Sequence, residues 1–225
     1  MYSHGLTLDR DDDSPGGGLA ELDVDRIAAA ALQVSDELGE TGLTMRAVAD
    51  RLGVTPMALY HHVDDKSALV ALMVDRAIRE QPAMPASTGD WKEDMWAMAQ
   101  WMRASTHVHP ALTHLRREHH AWTPTMLPMT ERWATLWQQS GLSPDDAVLA
   151  AAVSSAAIVG AVETEVFANR MDRPTAEELK LFPSARQMMT TRVDPDAIFE
   201  LLVRSIIDGV HARLSSEISE AHTVH

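Results

Sequence analysis

Pro56, Met57, Tyr60 and His61 are the residues of this chain whose types best suit the edge of a nucleic-acid base. Proline and methionine offer apolar contact to a thymine methyl, while tyrosine and histidine bring hydrogen-bonding groups on flat rings. Arg46, ten residues upstream, carries a planar guanidinium whose side chain is long enough to reach a base edge. A bidentate arginine–guanine pair contributes about 1–3 kcal/mol of discrimination, and a solvated surface arginine is the plain alternative.

These residues need two helices to hold them. Thr44 suits an N-cap, and Met45, Val48, Ala49 and Leu52 then fall on one face of a two-turn helix. Gly53 stands where such a helix ends in a left-handed residue. Thr55 caps a second helix, and Pro56 occupies its first position, where a missing N–H costs nothing. Small Ala49 allows a close crossing, and Val54, Leu59 and Val63 supply the buried side of the second helix. Two short helices joined through Gly53-Val54 make a helix-turn-helix, with Pro56, Met57, Tyr60 and His61 turned toward a major groove.

The segment 21–80 resembles the DNA-binding region of the tetracycline-repressor family. The matching positions are a first helix Val24–Leu38, Gly42-Leu43-Thr44, Arg46-Ala47-Val48-Ala49, Leu52-Gly53-Val54, Leu59-Tyr60-His61-His62 and Asp65-Lys66-Ser67-Ala68-Leu69. A weaker likeness to the family's namesake runs through Gly141-Leu142-Ser143 and Gly160-Ala161-Val162-Glu163. The resemblance implies an all-α protein with a three-helix reading head and a larger helical body that binds a ligand and dimerises. It implies that Arg46 reads guanine, that Thr44, Tyr60, His62 and Lys66 touch phosphates, and that Pro56, Met57 and His61 face the groove. Thr55, as the N-cap of the recognition helix, belongs to the same surface. The recognition helix lacks Arg, Lys, Asn and Gln, so its direct readout is thin.

Charge pulls the other way. The 225-residue chain has a formal net charge of −14, and residues 21–80 hold six Lys and Arg against eleven Asp and Glu. A basic footprint is absent, so phosphate contacts would rest on helix N-termini at Thr44, Thr55 and Asp65 and on a few cations doubled by a dimer. Weak non-specific binding and a shallow salt dependence follow. There is no cysteine, which excludes disulfides, thiolate nucleophiles and Cys-ligated zinc and fits a reducing cytoplasm. The start carries acid where a signal peptide needs base. The longest uncharged run, Ala147–Val162, is short for a bilayer span and reads as a buried helix.

Three parts are expected: a disordered tail over 1–20, the helix-turn-helix head over 21–66, and a body over 67–225 joined by a connecting helix over 65–80. Within the body, helices are expected near 90–107, 110–121, 123–140, 144–169 and 194–216, with a short helix or loop over 171–192. The helices over 144–169 and 194–216 are apolar nearly all round, as in a four-helix dimer interface or a monomer's core. Trp101, Trp122, Trp133 and Trp137, with Met95, Met98, Met102, Met126 and Met129, are candidates for lining a ligand pocket. The helical spacing of Trp133/Trp137 and Met95/Met98/Met102 fits plain core equally well. Glu163, in an otherwise apolar helix, is expected to face a polar ligand group or an arginine across the dimer. His114 joins the candidates from the cluster His107, His109, His114, His119 and His120. Its i,i+4 spacing to Glu118 is compatible with metal ligation, although surface histidines are the commoner outcome and no metal or cofactor is expected.

The expected function is that of a homodimeric, ligand-released DNA-binding repressor with a palindromic operator and a small apolar or aromatic inducer. The alternative is an acidic interaction module that keeps the fold without sequence-specific DNA binding. An enzyme is not expected, because no H-E-x-x-H, E-x-x-H or Gly-rich phosphate loop occurs.

Overall fold

The computed structural model describes residues 22–167 and 174–223, and the tail expected over 1–20 lies outside them. Among the described residues all regular structure is helical. The head comprises α1 (Val24–Gly42), α2 (Met45–Leu52) and α3 (Pro56–Tyr60), followed by the connecting α4 (Lys66–Glu80). The body comprises α5 (Trp91–Val108), α6 (Pro110–Glu118), a 3-10 turn (Pro124–Met126), α7 (Leu127–Gln138), α8 (Pro144–Phe167), α9 (Ala176–Lys180), α10 (Pro183–Thr190) and α11 (Pro195–Thr223). The stretch expected as helix or loop over 171–192 thus contains two short helices, the first opened by a capping box of Thr175 and Glu178.

Side-chain caps set the helix starts in the head. The carboxylate or hydroxyl oxygens of Asp23, Thr44, Thr55 and Asp65 accept from the amides of Arg26, Ala47, Ala58 and Ala68 at 2.7, 3.1, 3.3 and 2.8 Å. Each satisfies one of the donors that a helix N-terminus leaves over. At the end of α2, Gly53 adopts φ 70°, ψ 30°, and Val54 N–H donates to the Ala49 carbonyl at 3.0 Å. That left-handed stop reverses the chain into α3. Near the end of α1, Gly39 (φ 72°) interrupts the helix just past Leu38.

Two cores hold the molecule together. The first gathers Ile27, Ala31 and Val34 of α1, Val48 and Ala49 of α2, Leu59 of α3, and Leu69 and Met73 of α4. It also takes in Leu112 and Leu115 of α6, so a body helix is seated directly on the head. The second joins Met95 and Met98 of α5, Trp133, Leu136 and Trp137 of α7, Ala150 and Ile158 of α8, and Phe199, Val203 and Ile207 of α11.

Buried Asp94 ties the link between α4 and α5 to this second core. Its carboxylate accepts from the Thr88 amide and hydroxyl, both at 2.7 Å, and from the Ser87 hydroxyl, with the Arg132 guanidinium at 3.4 Å. Burial alone would raise its pKa, but these donors outweigh it and hold the carboxyl down at about 2.

α8 is long and apolar enough to cross a membrane by composition, with mean hydropathy 1.8 over Pro144–Val166, more than its uncharged run suggests. Only a third of that stretch is buried by the chain itself. Val148, Leu149 and Val153 of α8 and Ile198 and Leu201 of α11 face outward.

Candidate DNA-reading face and ligand cavity

On the head, the sequence-derived candidates are exposed, apart from Lys66. Arg46 sits in the first turn of α2 with its side chain in solvent, loosely paired to Asp50 at 3.9 Å. Met57 is 66% and Tyr60 47% exposed, so Tyr60 is not a core residue. Thr44, Thr55, Pro56, His61 and His62 are exposed, and Lys66 is half-buried at the first turn of α4. Leu59, the one fully buried side chain of α3, fixes the rotation of the helix.

Most of the head's other cations are engaged elsewhere. Arg51 donates to Glu37 (3.0 Å for one of its hydrogen bonds) and Gln33, Arg76 pairs with Glu80 at 2.5 Å, and Arg79 pairs with Asp25 at 2.6 Å and with Asp75. Such pairs neutralise charge on the flanks, which leaves Arg46 and Lys66 as the cations on the candidate face.

In the body, α4, α5, α6 and α8 line a half-open cavity of about 320 Å³. Its wall includes Val74, Ala77 and Ile78 of α4, Trp101 and Met102 of α5, Leu112 and Arg116 of α6, and Val159, Val162 and Glu163 of α8. Met126 and Met129 close another side. Trp101 is held in place by its indole N–H, which donates to the Pro82 carbonyl at 3.0 Å. Of the residues put forward from sequence for this pocket, Trp101, Met102, Met126, Met129 and Glu163 line the cavity.

Six others do not line it. Trp133 and Trp137 lie in the second core, where both indole N–H groups donate to the Ser154 hydroxyl, at 3.1 and 2.9 Å. That hydroxyl in turn donates to the Ala150 carbonyl at 2.6 Å. The helical spacing of these tryptophans therefore marks core, and the same holds for Met95 and Met98. Trp122 is 60% exposed, in the turn after α6. His114 points away, with Glu40 at 3.6 Å and Glu118 at 3.9 Å.

Three more histidines of that cluster are drawn into separate contacts: His109 with Asp36 at 2.8 Å, His107 with Glu165 at 3.6 Å, and His119 with the Ser67 hydroxyl at 3.2 Å. Among the described residues no three His, Asp or Glu side chains converge as a metal would require. The His119 Nε2 atom is buried without a partner at the junction of α6 and α4.

Sequence reasoning missed α6 as a wall of the cavity. His109, Leu112, Thr113 and Arg116 all line it, and their i, i+3, i+4, i+7 spacing is one helix face. A cation four residues after a buried leucine was the available signal. Glu163, only 12% exposed at its side chain, forms an ion pair with Arg117 of the same chain. The Arg116 guanidinium has no ion pair or hydrogen bond among the described residues. Burial, and then the neighbouring Arg117 charge, push its pKa down from the usual arginine value.

Comparison with known proteins agrees with this layout. Residues 27–73 match the family model "Bacterial regulatory proteins, tetR family", and residues 82–214 match "Tetracyclin repressor-like, C-terminal domain". The HTH-type transcriptional repressor DrrR1 of Streptomyces coeruleorubidus is 33% identical over 156 residues, covering 68% of this chain and 57% of DrrR1. The tetracycline repressor protein class A from transposon 1721 of Escherichia coli is 29% identical over 203 residues, covering 87% and 93% of the two chains. Among solved structures, ActR of Streptomyces coelicolor in complex with (S)-DNPA superposes with a TM-score of 0.68 at 25% identity, over 87% of this chain and all of that one. The chain belongs to the TetR family of bacterial regulatory proteins and is a DNA-binding transcriptional regulator.

Proposed function

We propose that the chain works as a homodimeric repressor, bound to a palindromic operator and released when a small apolar or aromatic molecule fills the body cavity. One observation carries this reading: α4 belongs to both sites. Its second half contributes Val74, Ala77 and Ile78 to the cavity wall, while its first turn contributes Lys66 and packs Leu69 into the head core. A molecule that prefers one placement of α4 therefore shifts the placement of α3.

The outward apolar residues of α8 and α11 support the dimer, because a second copy would cover what one chain leaves open. The same uncovered side accounts for the hydropathy of α8 without a bilayer, and we place the protein in the cytoplasm. Two heads must sit about 34–36 Å apart to enter successive major grooves.

Thr44, Tyr60, His62 and Lys66 are proposed as phosphate contacts, Arg46 as the guanine reader, and Thr55, Pro56, Met57 and His61 as the groove-facing surface. We take residues 21–66 as the head, 67–225 as the body and 65–80 as the link, and propose no catalytic activity. Selection of the purified protein against random duplex DNA, at low and moderate salt, tests the reading. The expected result is an enriched two-fold palindrome with half-sites about one helical turn apart. Absence of enrichment at both salts contradicts it.

A further inference from the structure

Among the described residues the cavity wall carries one arginine, Arg116, and one carboxylate, Glu163. Arg116 and Arg117 are adjacent on α6, and the single carboxylate facing them from α8, Glu163, is taken by Arg117. The Arg116 guanidinium is left on the wall without an ion pair or hydrogen bond among the described residues. The surroundings are mostly apolar, with Leu112 one turn before Arg116 and Val162 and Met126 on the opposing walls. An unpaired cation in such a place is costly, and a ligand that neutralises it gains more than one that merely fills space.

We propose that the cavity selects apolar molecules bearing one anionic oxygen group, a carboxylate above all, with Arg116 as the residue that pairs with it. The guanidinium presents parallel N–H donors that match the two oxygens of a carboxylate, a geometry that neither an ester nor a primary amide reproduces. Partial burial strengthens the preference, because less water remains to screen the pair than at the surface. Glu163 does not oppose an incoming anion, since Arg117 already offsets its charge. Burial and the neighbouring Arg117 charge both disfavour the charged form of Arg116, and a bound anion opposes both.

The proposal rests on the cavity being the ligand site of the regulator, and it is tested without DNA. Isothermal titration of the full chain with two matched pairs is the experiment: 2-naphthoate against 2-naphthamide, and anthraquinone-2-carboxylate against its carboxamide. At least one acid is expected to bind ten-fold or more tightly than its amide. Arg116→Gln should bring the pair level, while Arg116→Lys should keep part of the difference because a charge remains without the fork. Removing an unpaired, half-buried cation should not unfold the protein, and thermal melts of both variants check this. Equal binding of acid and amide, a preference that survives Arg116→Gln, or no binding by any of the four overturns the proposal. Failure of a bound acid to weaken operator binding would instead count against the ligand-release reading and leave the acid preference standing.

Discussion

The reading head and the body cavity are built on opposite principles. In the head the candidate residues lie in solvent, and a small buried set, Leu59 with Val48 and Ala49, fixes only their orientation. In the body the cavity-lining residues form the wall of a half-open space, and their positions depend on four helices meeting. The head can thus lose a surface side chain and keep its shape, whereas a change in the cavity wall alters packing and recognition together. α4 is the element on which the two meet.

The sharpest way to separate the regions is to break the head's internal support. Leu59→Ala should destabilise the protein by about 2–5 kcal/mol in urea unfolding, as buried leucine truncations do, and abolish operator binding. A variant that keeps full affinity would mean that α3 is not held by that core.

Asp94 offers the equivalent probe of the body. Asp94→Asn replaces an acceptor-only carboxylate with an amide among four donors, and should cost about 1–3 kcal/mol of stability without touching the reading face. The sign of its pH dependence is set by the folded pKa of about 2, below the ordinary 3.8. The carboxylate's contribution is complete above that ordinary value and is lost as pH falls toward 2. Asp94→Asn should therefore lose stability relative to the wild type at pH 7, and the gap should narrow on acidification.

Two changes on the surface should leave stability alone. Arg46→Ala should weaken operator binding by about 1–3 kcal/mol per half-site and relax the preference at one base position, measured by repeating the selection. Lys66→Ala should weaken binding to all sequences alike and flatten the slope of log affinity against log salt by about one for each phosphate left without its lysine. If Arg46→Ala behaved like Lys66→Ala, Arg46 would be a phosphate contact rather than a base reader.

The head was legible in the sequence because its signals are local. Thr44, Thr55 and Asp65 announce helix starts, Gly53 announces a left-handed stop, and each acts within four residues of itself. The cavity was legible only in part, since it forms where α6 closes on α4 and α8, and no local pattern states that meeting. Tryptophan content misled for a physical reason: the Ser154 hydroxyl satisfies the indoles of Trp133 and Trp137 together, which lets two polar handles sit in a core. Trp122 is large and apolar yet exposed, and nothing in its neighbours' spacing marks that. Arg116 was readable as a cation on the Leu112 face of α6, but its significance depends on Glu163 having been taken by Arg117, a pairing between α8 and α6 that no local pattern signals.

The central claim is that filling the cavity moves the head through α4. It is tested most directly by titrating the selected operator against the protein with and without a saturating cavity ligand, following DNA anisotropy. The operator affinity should fall, and the ligand's affinity should fall by the same factor when the operator is bound first, because the coupling is reciprocal. An operator affinity unchanged at saturating ligand would contradict the account.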